Sequence, residues 1–146
     1  MIITLDSGIL VRATKRSGGP ARRLVDIIAA DPHHVIALSP FILGEVGKVL
    51  AYPRMQALYG LSADEIHDHV RYLESIARIV EPEMGVPVVL SDPHDDPVIY
   101  TAVSAGADVL CVRDRGFYAR NVLAFCEHND IRVMDELGLL KLLATA

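Results

Sequence analysis

Asp95-Asp96-Pro97-Val98-Ile99-Tyr100-Thr101-Ala102-Val103-Ser104-Ala105-Gly106-Ala107-Asp108-Val109-Leu110-Cys111-Val112-Arg113-Asp114 is the stretch that decides how the rest of this chain is read. Acidic residues suit the positive end of a helix, and Pro97 suits its first turn, so a helix opens here. Gly106 ends it. Val109-Leu110-Cys111-Val112 is then a short apolar run with the character of a buried strand. A helix followed at once by an apolar strand points to a parallel sheet whose strands are covered by helices.

The same alternation extends outward. Residues 1–6 form an apolar, β-branched run ended by Ser7-Gly8. Residues 20–31 carry Ala21, Leu24, Val25, Ile27 and Ile28 at helical spacing behind Pro20. Val35-Ile36-Ala37-Leu38 reads as a strand. Ser39-Pro40 then opens a helix to about Tyr52, where Pro53 stops it. Ser62-Ala63-Asp64-Glu65 has the pattern of a capping box and starts a helix with Ile66, Val70, Leu73, Ile76 and Ala77 on its apolar face. Ile79-Val80 and Val86–Leu90 are expected to be extended, residues 120–129 helical, Ile131–Val133 a last strand, and Glu136–Leu143 a closing helix. The expectation is one α/β domain over residues 1–146: a three-layer α/β/α sandwich on a parallel sheet of about five strands.

Half of the 146 residues are apolar (51%), enough for a single well-supplied core. No apolar run approaches the length of a membrane span. The first residues read as a strand rather than a signal peptide. Cys111 and Cys126 lack metal-type spacing, which fits free thiols in a reducing cytoplasm. A formal charge of −5 argues against a protein that coats nucleic acid. The positive charge is gathered instead at Arg12, Lys15, Arg16, Arg22 and Arg23, and at Arg113, Arg115 and Arg120.

Of Asp6, Glu45, the Asp92–Asp96 stretch and Asp114, three stand beside apolar runs, and they are not each matched by a neighbouring Lys or Arg. A carboxylate at the edge of a core is costly without a partner. Several of them together point to a hard divalent cation such as Mg²⁺ or Mn²⁺, and so to a metal-dependent phosphodiesterase. In a parallel sheet the ligand crevice lies outside the carboxyl ends of the strands, where Asp6 and Asp114 fall. No Gly-rich phosphate loop with its Lys follows the first strand, which excludes P-loop and dinucleotide-binding readings. An aspartyl-nucleophile phosphatase wants a second Asp where Gly8 stands.

The order of four pieces resembles PIN domains, in particular the toxin-like (VapC-like) ribonucleases of toxin–antitoxin systems. The pieces are the strand ending in Asp6-Ser7, Ser39-Pro40 with Glu45 and Val49–Arg54, Asp92–Pro97 followed by Ala102 and Ala105–Asp108, and the strand leading to Asp114. The resemblance runs from residue 2 to about residue 134. It implies five parallel strands and Mg²⁺- or Mn²⁺-dependent cleavage of single-stranded RNA by activated water. It further implies the acidic set Asp6, Glu45, Asp95 and Asp114, a homodimer, and a cognate antitoxin covering the cleft.

On this resemblance Asp6 and Asp114 hold the ion, and Asp95 completes its shell directly or through water. Glu45 orients a water or binds a second ion. Asp96 competes with Asp95 for the third place, and Ser7 and Asp92 stand behind the ligands. Arg12, Arg113 and Arg115 are candidate RNA contacts. The family usually has Asn at Gly8 and Thr or Ser at Val112, so a PIN-like module that binds without cleaving is the alternative. No histidine is assigned to the metal.

Overall fold

The computed structural model describes residues 1–145; Ala146, the last residue of the expected domain, lies outside them. Five strands, β1 (Ile2–Leu5), β2 (Val35–Leu38), β3 (Ala77–Ile79), β4 (Val109–Cys111) and β5 (Arg132–Met134), form one sheet in the order β3-β2-β1-β4-β5. Every pairing is parallel. The helices that flank it are α1 (Ser7–Val11), α2 (Pro20–Ala30), α3 (Pro40–Leu50), α4 (Pro53–Tyr59), α5 (Ala63–Ile76), α6 (Asp96–Ala105), α7 (Arg120–His128) and α8 (Glu136–Thr145). The expected three-layer α/β/α fold is therefore present.

The central strands are buried because they are covered on both faces. Ile3, Thr4 and Leu5 of β1 and Val109, Leu110 and Cys111 of β4 are fully buried, as parallel strands under helices should be. The chain winds outward from β1 to β2 and β3, then returns to the other side of β1 to lay down β4 and β5. The β1–β4 boundary is thus the topological switch point, where a crevice opens beyond the strand ends.

Local signals account for most helix boundaries. Pro20 occupies the first turn of α2, whose Ala21, Leu24, Val25 and Ile28 are buried. Ser62 and Glu65 close the capping box of α5 reciprocally, at 3.1 and 3.0 Å. Gly106 ends α6 at φ 64°, a left-handed conformation that costs glycine little.

Three segments differ from expectation. Ser7-Gly8 does not merely end a strand; it begins the short α1, capped by Asp6. Pro53 closes α3 but also serves as the first residue of α4, because proline lacks only an N–H that a helix start leaves unpaired anyway. Val86–Leu90 forms no strand. The N–H groups of Val88 and Val89, which a strand would give to a neighbour, are donated to the Asp96 carboxylate instead.

Candidate active site

Asp6 directly follows β1, and its backbone N–H donates to the Cys111 carbonyl at 3.0 Å. The β1–β4 ladder therefore fixes its position at the switch point. Its Oδ1 accepts the Ser7 N–H at 2.7 Å, with the Ser7 hydroxyl 3.5 Å away. Asp114 lies just past β4 and is exposed; its Oδ1 accepts the Gly116 N–H at 2.8 Å. Asp95 stands at the N-terminus of α6 yet makes no side-chain cap bond, so simple helix capping does not explain it. Glu45 projects from α3 with its side chain 21% exposed, and its Oε1 lies 3.5 Å from His94 Nε2.

These carboxylates act on one another. Burial pushes the Asp6 carboxyl up to about 6; the Ser7 N–H opposes this, while Asp114 and Glu45 add repulsion. Asp95 is also raised to about 6, by burial first and then by Asp6, Asp92 and Asp114, with His94 acting the other way. The largest influences on both, after burial, come from hydrogen bonds and other carboxylates. Asp6, Glu45, Asp95 and Asp114 thus share one acidic locality, with Asp92 at its edge.

Packing holds the two helices that bring Glu45 and Asp95 there. Ser39 caps α3 through the Ile42 N–H, and its Oγ is hydrogen-bonded to Thr101 Oγ1 of α6 at 2.8 Å. This buried bridge ties the helix carrying Glu45 to the helix headed by Asp95.

Other expected residues are placed differently. Asp96 is buried, and its carboxylate accepts from Val88 and Val89, holding the loop that precedes α6. Arg12 and Arg113 pair with Glu136 at 2.9 and 3.2 Å rather than standing free. Together with Ser17 and Tyr59 these three line a cavity of about 220 Å³. Arg115 is exposed and forms no ion pair among the described residues. Val112 is fully buried, with its carbonyl accepting the Tyr118 hydroxyl at 2.6 Å. A larger cavity of about 320 Å³, between Thr14, Arg16, His69 and Tyr72, contains none of the acidic set.

Glu136 was not singled out by sequence, where it reads only as an acid at a helix start. Its side chain is 6% exposed and binds two arginines, one of them 124 residues distant. Nothing local announces such a clamp.

Among the described residues no group of three or more His, Cys, Asp or Glu is already arranged to hold a metal ion. The donor set nevertheless fits a hard divalent cation: it is all carboxylate oxygen, and burial together with neighbouring carboxylates raises Asp6 and Asp95.

A parallel α/β fold with an acidic cluster at its switch point defines the class. The chain belongs to the PIN domain family, whose profile matches residues 3–116. Among solved structures, it is similar to a chain in the crystal structure of VapBC2 from Rickettsia felis bound to a DNA fragment from their promoter. That likeness has a TM-score of 0.58 at 14% identity and covers 92% of this chain and 100% of that one. No curated protein matches this chain.

Proposed function

We propose that this protein is a Mg²⁺- or Mn²⁺-dependent endoribonuclease that cleaves single-stranded RNA. The observation that carries the reading is the convergence at the β1–β4 switch point of Asp6 and Asp95, both raised to about 6 by burial and then by neighbouring carboxylates that include Asp114. Membership of the PIN domain family supports it. Asp6, Asp95 and Asp114 would hold the ion, with Ser7 and Asp92 fixing their neighbours. A bound divalent ion supplies a more acidic water and charge neutralisation for a phosphodiester. Glu45 accepts a proton from or orients the attacking water, and Arg115, with Arg12 and Arg113 where Glu136 leaves them donors, steadies the backbone phosphates. Asp96 is assigned to the scaffold.

The proposal extends to a toxin in a toxin–antitoxin pair, acting in the cytoplasm as a homodimer of single-domain subunits spanning residues 1–146. The fold shared with a chain of a VapBC2 complex supports the antitoxin partner, and no helix among the described residues is long and apolar enough to cross a membrane. The buried, apolar Val112 favours the alternative of a PIN-like module that binds without cutting.

Cleavage of a labelled, mixed-sequence single-stranded RNA with Mg²⁺ or Mn²⁺ tests the reading. Cutting by wild type that is lost with chelator and in Asp6→Asn is expected. Equal cutting by both proteins would overturn the site; no cutting and no metal binding would favour the inert module, whereas metal binding without cutting would point to a narrow RNA specificity.

A further inference from the structure

Two aromatic rings, Phe41 and His94, stand at the edge of the acidic cluster. Phe41 lies in the first turn of α3, four residues before Glu45, and so on the same side of the helix. Its ring meets that of His94 edge to face, with centroids 5.2 Å apart and planes at 65°. His94 adjoins Asp95, and its Nε2 is 3.5 Å from Glu45 Oε1. The other two phenylalanines are accounted for by packing: Phe117 is fully buried, and Phe125 packs edge-on against Tyr100.

Phe41 packs against the core on one side, and His94 lies outside it. The His94 side chain is 58% exposed, and Phe41 is only half-buried. Exposed aromatic faces beside a phosphodiester site are what single-stranded RNA recognises, because every base has a π-face that can stack. The charge of the chain makes such a contact useful. With a net charge of −5 and two of the nearby arginines tied to Glu136, attraction for the RNA backbone is weak, whereas stacking does not depend on charge.

We propose that Phe41 and His94 form a stacking platform for a nucleobase of single-stranded RNA, setting the strand so that its neighbouring phosphate meets Asp95 and Glu45. This rests on the ribonuclease reading. The Glu45 contact orients the imidazole, and the Phe41 ring packs against it.

The test is anisotropy of a labelled single-stranded RNA titrated with the full chain, comparing wild type, Phe41→Ala, His94→Ala and His94→Phe. Loss of one stacked base weakens binding roughly 5- to 150-fold, and this is expected for both alanine variants. His94→Phe keeps a ring and should bind as wild type does. An RNA with abasic positions should bind equally to wild type and His94→Ala. His94 is too exposed for its replacement to unfold the protein, so His94→Ala is decisive even where Phe41→Ala destabilises. The platform is overturned if His94→Phe binds as poorly as His94→Ala, or if His94→Ala binds as wild type does. In either case wild type that still cuts RNA leaves the ribonuclease reading standing; wild type that neither binds nor cuts removes both.

Discussion

The carboxylate of Asp96 accepts the backbone N–H of Val89 at 2.8 Å, while its neighbour Asp95, one residue earlier, caps nothing and is driven up to about 6. Adjacent, identical side chains are thereby placed differently: Asp96 is tied into the scaffold, and Asp95 is left free for the chemistry proposed above. Asp96→Ala leaves the buried Val88 and Val89 N–H groups without their acceptor and should cost roughly 2–4 kcal/mol of stability. Asp95→Ala should cost none and should abolish divalent-ion binding. Urea unfolding and calorimetric titration with Mn²⁺, run on both variants, separate the two roles.

The pH dependence follows from the direction of these shifts. Asp6 and Asp95 lie near 6 in the folded protein, against an ordinary 3.8. Between those values the folded state holds more protons than the unfolded chain, so their contribution to stability is full below about pH 4 and is lost as pH rises through 6. Asp31 and Glu65, lowered by backbone hydrogen bonds from His33 and Ser62, work the other way at lower pH. Comparing wild type with Asp6→Asn cancels them: the variant should gain stability relative to metal-free wild type as pH rises from about 4 to 7. A constant difference would contradict the raised Asp6 carboxyl.

Supplying the missing charge should reverse that penalty. At about 100 times its dissociation constant, Mn²⁺ should stabilise wild type by about 2.7 kcal/mol, and Asp114→Asn should lose most of this. Because the carboxylates must be deprotonated to bind, affinity should weaken below pH 6. Thermal unfolding with and without Mn²⁺ reads both effects.

Gly8 invites a gain of function. A Cβ added there would lie 3.9 Å from Asp6 Oδ2, an ordinary contact, so the Asn usual in the family can be accommodated. Gly8→Asn places an amide beside Asp6 and should tighten Mn²⁺ binding roughly tenfold, within the range usual for groups that support metal ligands. Unchanged affinity would show that the glycine is no handicap.

Glu136 is predicted to matter for stability. Glu136→Ala removes the partner of both Arg12 and Arg113 and should destabilise the protein by roughly 1–3 kcal/mol, less than a fully buried pair because both arginines reach water. The matched Glu136→Gln, which retains an acceptor, should lose less. Denaturant midpoints of the two variants rank them.

Periodicity and caps carried the fold: the apolar runs at β1, β2 and β4, the Ser62 box and Pro20 each left a local signature. The departures at Ser7 and Pro53 are helix starts hidden in turn-like residues, and the one at Val86–Leu90 arose where a group outside the segment decided. Val86–Leu90 reads as a strand because its composition is that of a strand, and only the carboxylate of Asp96 diverts its N–H groups. Likewise Asp95 and Asp96 are equivalent in sequence until the loop they border is folded. That Asp6 and Asp114 follow strands was legible; that they lie side by side depends on β4 pairing with β1, which no local signal announces. The Glu136 clamp was not legible, since its partners lie far away along the chain.

The sheet order has a consequence for synthesis. β1 is made first, but the strand that seats beside it at the acidic end, β4, comes some hundred residues later. Asp6 leaves the ribosome long before Asp114 exists, and the two meet only when β4 docks. A growing chain therefore carries no assembled acidic cluster beside the RNA-rich machine that is making it. Were the protein a ribonuclease, that delay would protect the ribosome from its own product until translation had nearly passed the site.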